Sequence, residues 1–364
     1  MFVFVCAGCG AGLTAPLSQV ALPVHAHQVY GNGARLPVLM EPGTFAVDPE
    51  PGGPPRRREE AHDGAPGAIV IAPGDTRGTL LIPEKGGGHC CGVDGSDGPS
   101  MACQACGLPV ASRIDDCSLW QAVWPAPDAV RRRRMGSADA VPLSWAELMA
   151  EEKGTPPFEP VARWGSPAEV NAPWPWSPRW EAAAGQALAH LLVASQGRPV
   201  TVPGGLTEEV FRRALDTLLP AGPPPRRVVL AGPGRPAPDA DADILLVPLH
   251  PQTGETWTPA GPAASACRVP LSFGVWLRPA SPEPHPPVPA SGVLPEGVLR
   301  DDPPVPRSPR LFRADPGVFR HTLVRLSVRS PWLREILENI PQHVRAGLLQ
   351  PPARPPSRAG AATG

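Results

Sequence analysis

Two short stretches constrain this chain more than anything else in it. Cys6-Ala7-Gly8-Cys9-Gly10 and Cys103-Gln104-Ala105-Cys106-Gly107 repeat one pattern, two cysteines three apart followed by a glycine, with 93 residues between Cys9 and Cys103. In a tight turn this spacing lets both thiolates face one ion. The trailing glycine tolerates positive φ, and its N–H can stabilise a thiolate. Two such turns supply four sulfurs, the number that a closed tetrahedral site takes. If the turns meet, the 93 residues must fold as a β-rich insertion that returns the chain to its starting point. The bland alternative is two unrelated pairs of free thiols in turns.

The paired motif resembles the zinc-ribbon (rubredoxin-like) family, in which two CxxC knuckles on β-hairpins clamp one structural zinc. That resemblance implies Cys6, Cys9, Cys103 and Cys106 as ligands and Zn2+ as the cofactor, with iron as the second choice. The insertion is longer than a usual ribbon excursion. The run MEPGTFAVDPEP, continued by GAIVIAPGDTRGTLLIPEKGGGHCCGVDGSDGPSMACQACGLPVASRIDDCSLWQAVW, also resembles uncharacterised zinc-ribbon-bearing proteins of GC-rich bacterial genomes. This likeness extends over most of the chain and implies no activity.

Four further cysteines remain. GGGHCCGVDG sets His89, Cys90 and Cys91 in a glycine-rich loop, and Cys117 follows. Three readings stay open: a second metal or redox site, replacement of Cys6 or Cys9 by Cys90 or Cys91, or inert thiols beside the knuckle. A bridge between the adjacent Cys90 and Cys91 would strain the intervening peptide. Cys267, alone in SACRVPL, is expected in the core.

Composition bounds the setting. The 364 residues suffice for two domains with a further helical piece. The 55 prolines and 38 glycines, with lysine only at Lys85 and Lys153, suggest GC-rich coding as one source of the bias. Formal net charge is −1, which weighs against a partner gripped through its phosphates. No stretch approaches the roughly eighteen apolar residues that a membrane span needs. The opening MFVFVCAG lacks a basic leader, so a cytoplasmic location is expected. In that compartment eight cysteines favour metal ligation over disulfides.

Along the chain the pattern predicts an α+β fold. Residues 1–125 read as a β-rich, zinc-ribbon-like domain with a long insertion. RLPVLMEPGTFAVDP suggests two strands about Pro42-Gly43, GAIVIAPGDTRGTLLIPE suggests a hairpin, and the proline-rich stretch 48–67 suggests a surface loop. DDCSLWQAVWPAPDAVRRRR is expected to carry a helical turn or two. Residues 126–177 form a Pro/Trp-rich linker. Within it PLSWAELMAEE is a short helix, with Ser144 as N-cap and Glu147 at capping-box spacing. Trp164, Trp174, Trp176 and Trp180 are expected to pack this linker onto a domain.

From 178 to 280 helices and strands alternate: SPRWEAAAGQALAHLLVAS, RPVTVP, LTEEVFRRALDTLL, RRVVLAGPG and ADILLVPLHP. This rhythm suggests an α/β domain. Residues 281–349 are a linker and a C-terminal helix broken at Pro341, and 350–364 read as a disordered tail.

Complete catalytic patterns fail. VHAHQ places His27 where a zinc deaminase needs its glutamate, so deamination lacks a proton shuttle. His25 and His27 are expected as surface histidines. VVLAGPG lacks the third glycine and the receiving helix of a dinucleotide loop. Asp239, Asp241 and Asp243 read as a solvated turn, and Arg131 to Arg134 as a solvated segment. The function expected from sequence is therefore a zinc-binding interaction or regulatory protein with a protein partner and no catalytic residues. An enzyme with a dispersed site in the α/β domain is one rival. A nucleic-acid regulator using Arg56, Arg57, Arg58 and Arg131 to Arg134 is the other.

Overall fold

The computed structural model describes residues 1–31, 33–48, 67–86, 90–136, 141–163, 174–222, 225–281, 310–326, 331–345 and 347–349. Most of the proline-rich loop with Arg56 to Arg58, together with His89, Trp164, the linker after Ser281 and the C-terminal tail, lies outside these residues. The fold is α+β.

Among the described residues, ten strands occupy the first 134 positions: β1 (Phe2–Cys6), β2 (Ser18–Gln19), β3 (Ala34–Arg35), β4 (Thr44–Val47), β5 (Ile69–Ile71), β6 (Thr79–Leu81), β7 (Met101–Cys103), β8 (Pro109–Ile114), β9 (Ala122–Pro125) and β10 (Val130–Arg134). Seven form one sheet in the order β2-β4-β5-β9-β8-β7-β6. β1 pairs antiparallel with β10, with Cys6 opposite Val130 and Phe2 opposite Arg134. Phe4 meets Phe45 edge-on at 5.1 Å, the geometry an aromatic quadrupole favours, and both are buried with Leu17 and Ile71.

Three expectations for this region need correction. Residues 69–81 do not form a hairpin, because β5 pairs with β4 and β9 whereas β6 pairs with β7. The connection between them bonds elsewhere. Asp75 O accepts from Ala15 N at 2.9 Å, Arg77 N donates to Leu13 O at 2.7 Å, and the Asp75 carboxylate accepts from Gly43 N at 2.8 Å. The stretch 120–134 carries strands β9 and β10 and no helix: Val123 and Trp124 suit the pleated surface, Pro125 ends β9, and Pro127 lies in the turn toward β10. Only the second half of 35–47 forms the expected strand. Residues 36–40 make a single bridge, Val38 to Gln121, since Pro37 has no N–H to donate.

The remaining elements are α1 (Trp145–Glu151), β11 (Ala162–Arg163), α2 (Pro178–Ser195), β12 (Val200–Thr201), α3 (Leu206–Leu218), β13 (Arg226–Leu230), β14 (Ile244–Leu249), β15 (Cys267–Ser272), α4 (Phe273–Ala280), α5 (Pro316–Leu326), α6 (Pro331–Glu338) and α7 (Ile340–Arg345). β11 pairs with β3. β12-β13-β14-β15 form a parallel sheet. Ile244, Leu245, Leu246 and Val247 of β14 are fully buried, as parallel strands covered on both faces must be. α2 is buried around most of its circumference, so its alanines and leucines face β15 and α5 at once. Gly185 permits that approach, since a Cβ there would lie 2.7 Å from Asp315 O.

The Ser144–Glu147 capping box forms as expected. The C-terminal helix breaks at Asn339, and Pro341 becomes the second residue of α7, where a missing N–H costs little. β15, α4 and α5 had no sequence expectation. Pro270 obscures β15, yet this strand is an edge of its sheet, where a proline is tolerated. Cys267 is partly buried and packs against the main core. Among the described residues, no helix is long and apolar enough to cross a membrane.

Candidate metal centre

Both CxxCG motifs close by the same bonds. In the first, Gly10 N donates to Cys6 O at 2.9 Å and Cys6 N to Ala11 O at 2.8 Å. In the second, Gly107 N donates to Cys103 O at 2.8 Å and Cys103 N to Leu108 O at 2.8 Å. Gly10 and Gly107 have φ of 77° and 76°, which a side chain would strain. β1 delivers the first knuckle, and the β7–β8 hairpin carries the second.

The long insertion returns through residues 76–78. Thr76 and Arg77 pair with Thr14 and Leu13, just beyond knuckle one, and Gly78 O accepts from Gln104 N of knuckle two at 2.8 Å. Gly78 is pressed so closely to this seam that a Cβ would sit 2.8 Å from Gly12 O. Ala7 N donates to Ala129 O at 2.9 Å, fixing knuckle one to the end of β10.

The result brings the four sulfurs together, all within 4.8 Å of one another. Across the knuckles Cys6 Sγ lies 3.6 Å from Cys106 Sγ, and Cys9 Sγ 3.7 Å from Cys103 Sγ. A tetrahedral ion with Zn–S bonds of about 2.3 Å requires sulfur–sulfur edges of about 3.8 Å. The donor set fits such an ion, and the two cross-knuckle contacts already stand close to its edge length. In each knuckle the first cysteine is buried and the second is exposed. For the Cys6 thiol, burial opposes ionisation, but the N–H groups of Cys9 and Gly8 and the thiols of Cys106 and Cys103 outweigh it, bringing it down to about 7. For Cys106 the Leu108 N–H favours the thiolate, yet the neighbouring Cys9 and Cys6 sulfurs push it up to about 12. Metal binding to such a group releases thiol protons, so it depends on pH.

Cys90, Cys91 and Cys117 form a second group with the Asp116 carboxylate, again within 4.8 Å. Cys90 Sγ is 3.2 Å from Cys117 Sγ and 3.3 Å from Cys91 Sγ. These thiols stand beyond the C-terminal end of β8, whereas knuckle two precedes its N-terminal end. At about 3.3 Å per strand residue, six residues of β8 hold the groups well apart. Cys90 and Cys91 accordingly contact Cys117 and not the knuckles. Asp116 was missed from sequence; its place directly before Cys117 was the available signal.

The other candidates resolve differently. His25 and His27 lie in a turn and are not simple surface residues. His27 Nε2 is 2.8 Å from Asp48 Oδ2, and its ring stacks on Trp124. His25 packs on Trp120 at 4.3 Å; burial, then the Arg179 charge, brings it down to about 3. Asp239 and Asp241 are exposed and pair with Arg227, and Asp243 pairs with Arg226. Arg131 to Arg134 stand exposed along β10. Trp176 and Trp180 are buried, while Trp174 stays exposed. An open cleft of about 560 Å³ is bordered by His190, Glu255, Thr258 and Arg268, where Arg268 donates to Thr258 Oγ1 at 2.7 Å.

No family model, curated protein or solved structure matches this chain. What stands is that its cysteines are grouped so that they could hold a metal ion.

Proposed function

We propose that the chain is a zinc-binding interaction or regulatory protein in which Cys6, Cys9, Cys103 and Cys106 hold one structural Zn2+. The observation that carries this reading is the pair of cross-knuckle contacts at 3.6 and 3.7 Å, close to the tetrahedral edge. Four sulfurs leave no open coordination position, so the ion would organise the fold and not activate a substrate. Iron in the same four thiolates would instead make an electron carrier. Elemental analysis of protein purified without chelator tests both: this site should contribute one zinc per chain, lost on Cys6→Ser. No metal at this site would overturn the proposal, and stoichiometric iron would replace zinc in it.

We further propose a cytoplasmic protein partner that carries acidic groups. Among the described residues β10 pairs only with β1 in its sheet and presents Arg131 to Arg134 to solvent, in a row that leads from opposite Val5, next to Cys6, to opposite Phe2. Arg132 lies over the Phe2 ring at 4.8 Å and donates to Gln19 Oε1 at 3.1 Å. The same arginines are the specific observation favouring nucleic acid as a second reading. A duplex-binding titration near physiological salt separates the two. Sub-micromolar, sequence-selective binding lost on replacing Arg131 to Arg134 would favour the second; weak binding that fades with salt would favour the first.

A further inference from the structure

The loop at 90–95 is clamped to the end of β8 by bonds that do not involve sulfur. Asp115 N donates to Val93 O at 2.8 Å, and Asp116 Oδ1 accepts from both Cys91 N at 2.9 Å and Cys117 N at 2.8 Å. Gly92 is indispensable here, because a Cβ would lie 1.9 Å from Asp115 O. On the other side Ser118 holds φ at 73°, a costly conformation for a residue with a side chain. It is kept there by Ser118 N donating to Ala34 O at 2.7 Å and Ser118 Oγ to Gly31 O at 3.1 Å. Two backbone segments distant in sequence are thus locked so that three thiols converge. Such preorganisation around the donors is what a ligand site requires and what incidental thiols do not.

The donor set is soft: three sulfurs and a carboxylate oxygen. Adjacent Cys90 and Cys91 are poor disulfide partners, and three thiols cannot all be paired by one disulfide. Cys117 and Asp116 are buried while Cys90 is exposed, so an ion could enter and leave from the Cys90 side. We propose that Cys90, Cys91, Cys117 and Asp116 form a second cation site, selective for thiophilic divalent ions of the zinc class and more exchangeable than the four-cysteine centre. Binding releases the thiol protons to solvent and involves no redox change. The sulfur contacts of 3.2 and 3.3 Å must open toward the tetrahedral edge of about 3.8 Å as the ion enters.

Cobalt(II) titration of the reduced, full-length protein tests this, since cobalt thiolates absorb strongly and report ligand number. The wild type should bind two equivalents per chain. Cys90→Ser alters an exposed position and should weaken one equivalent more than tenfold while leaving the four-thiolate spectrum intact. Cys6→Ser should remove the four-thiolate spectrum, and the Cys90→Ser titration, in which that spectrum persists, tests the second site independently of the first. A titration whose thiolate absorbance is unchanged by Cys90→Ser would overturn the proposal. So would a Cys90–Cys117 disulfide in anaerobically purified protein.

Discussion

The β-rich half and the parallel-sheet half of this molecule are held together by different means. In the first, strands are two to six residues long, and the buried apolar side chains divide into two modest clusters. One of these clusters includes Cys6 and Cys103 themselves. In the second, one large core runs from Leu148 to Leu349 with a small cluster of Ala231, Ala242, Leu245, Val247 and Ala263 besides, and α2 and β14 are buried on nearly all sides. If metal enters the knuckles, two of its four ligands, Cys6 and Cys103, double as core residues of the smaller of those clusters in the β-rich half, whereas the parallel half gains its stability from apolar area removed from water.

The largest expected effect therefore follows metal removal. Chelation, or Cys103→Ser, should melt the β-rich half in a separate, lower transition while α2, α3 and the parallel sheet persist. Structural zinc contributes on the order of 10 kcal/mol to comparable small sites. Hydrogen exchange on β7 and β8 reads the outcome, and protection unchanged by chelator would break the comparison. The converse substitution is Leu191→Ala in α2, where the side chain is fully buried. Its cost should be about 2–5 kcal/mol, confined to the parallel half, with metal content unaltered. A loss of zinc in that variant would show that the two halves fold as one unit.

The features legible in sequence are those decided within a few residues. CxxCG spacing located both knuckles, Ser144 and Glu147 located the start of α1, and the alanine–leucine run located α2. What escaped depends on distant partners. The hairpin expected at 69–81 was undone by bonds from Gly43, Leu13 and Ala15. Whether Cys117 is inert or one of a cluster depends on a loop 26 residues earlier, clamped by an unremarked aspartate. His25 and His27 read as surface groups because nothing local announces Trp120, Trp124 or Asp48 as neighbours.

The junction between the halves offers the next test. Gln28 and Trp120 come from the β-rich side: Trp120 Nε1 donates to Gln28 Oε1, and Gln28 Nε2 reaches Pro178 O and Asp315 Oδ2. Burial raises Asp315 to about 6, and burial with the nearby Asp315 charge raises Glu181 well above its ordinary value. Carboxyls raised in the folded state stabilise it fully below their ordinary pKa and lose that contribution as pH rises through the folded value. The buried His25 and His190, lowered to about 3 and about 4 chiefly by burial, act oppositely: their contribution is lost as pH falls below about 6.5. The two pairs offset each other in mildly acidic solution. Glu181→Gln removes one carboxyl, so the variant should gain on the wild type as pH rises above the ordinary glutamate value of about 4.3. About 1–3 kcal/mol is expected, the usual scale for a buried polar group relieved of an unfavourable state. Parallel stability–pH curves for the two proteins would show that Glu181 ionises freely.

The smallest effect expected is at Ser144, and it asks to which half α1 belongs. Ser144 Oγ accepts from Glu147 N, and the Glu147 carboxylate accepts from Ser144 N and Oγ. The helix so started turns Leu148 into the large core of the parallel half. Its approach is fixed to the same half: Leu143 N donates to Gln252 Oε1 at 2.7 Å, and His250 Nε2 lies 2.8 Å from Leu143 O. Ser144→Ala removes the hydroxyl acceptor while preserving a good helix former, at a cost of about 1 kcal/mol. That cost should appear in the transition of the parallel half, and the metal-dependent transition should not move. A shift in the latter instead would assign α1 to the β-rich half and redraw the boundary between the two.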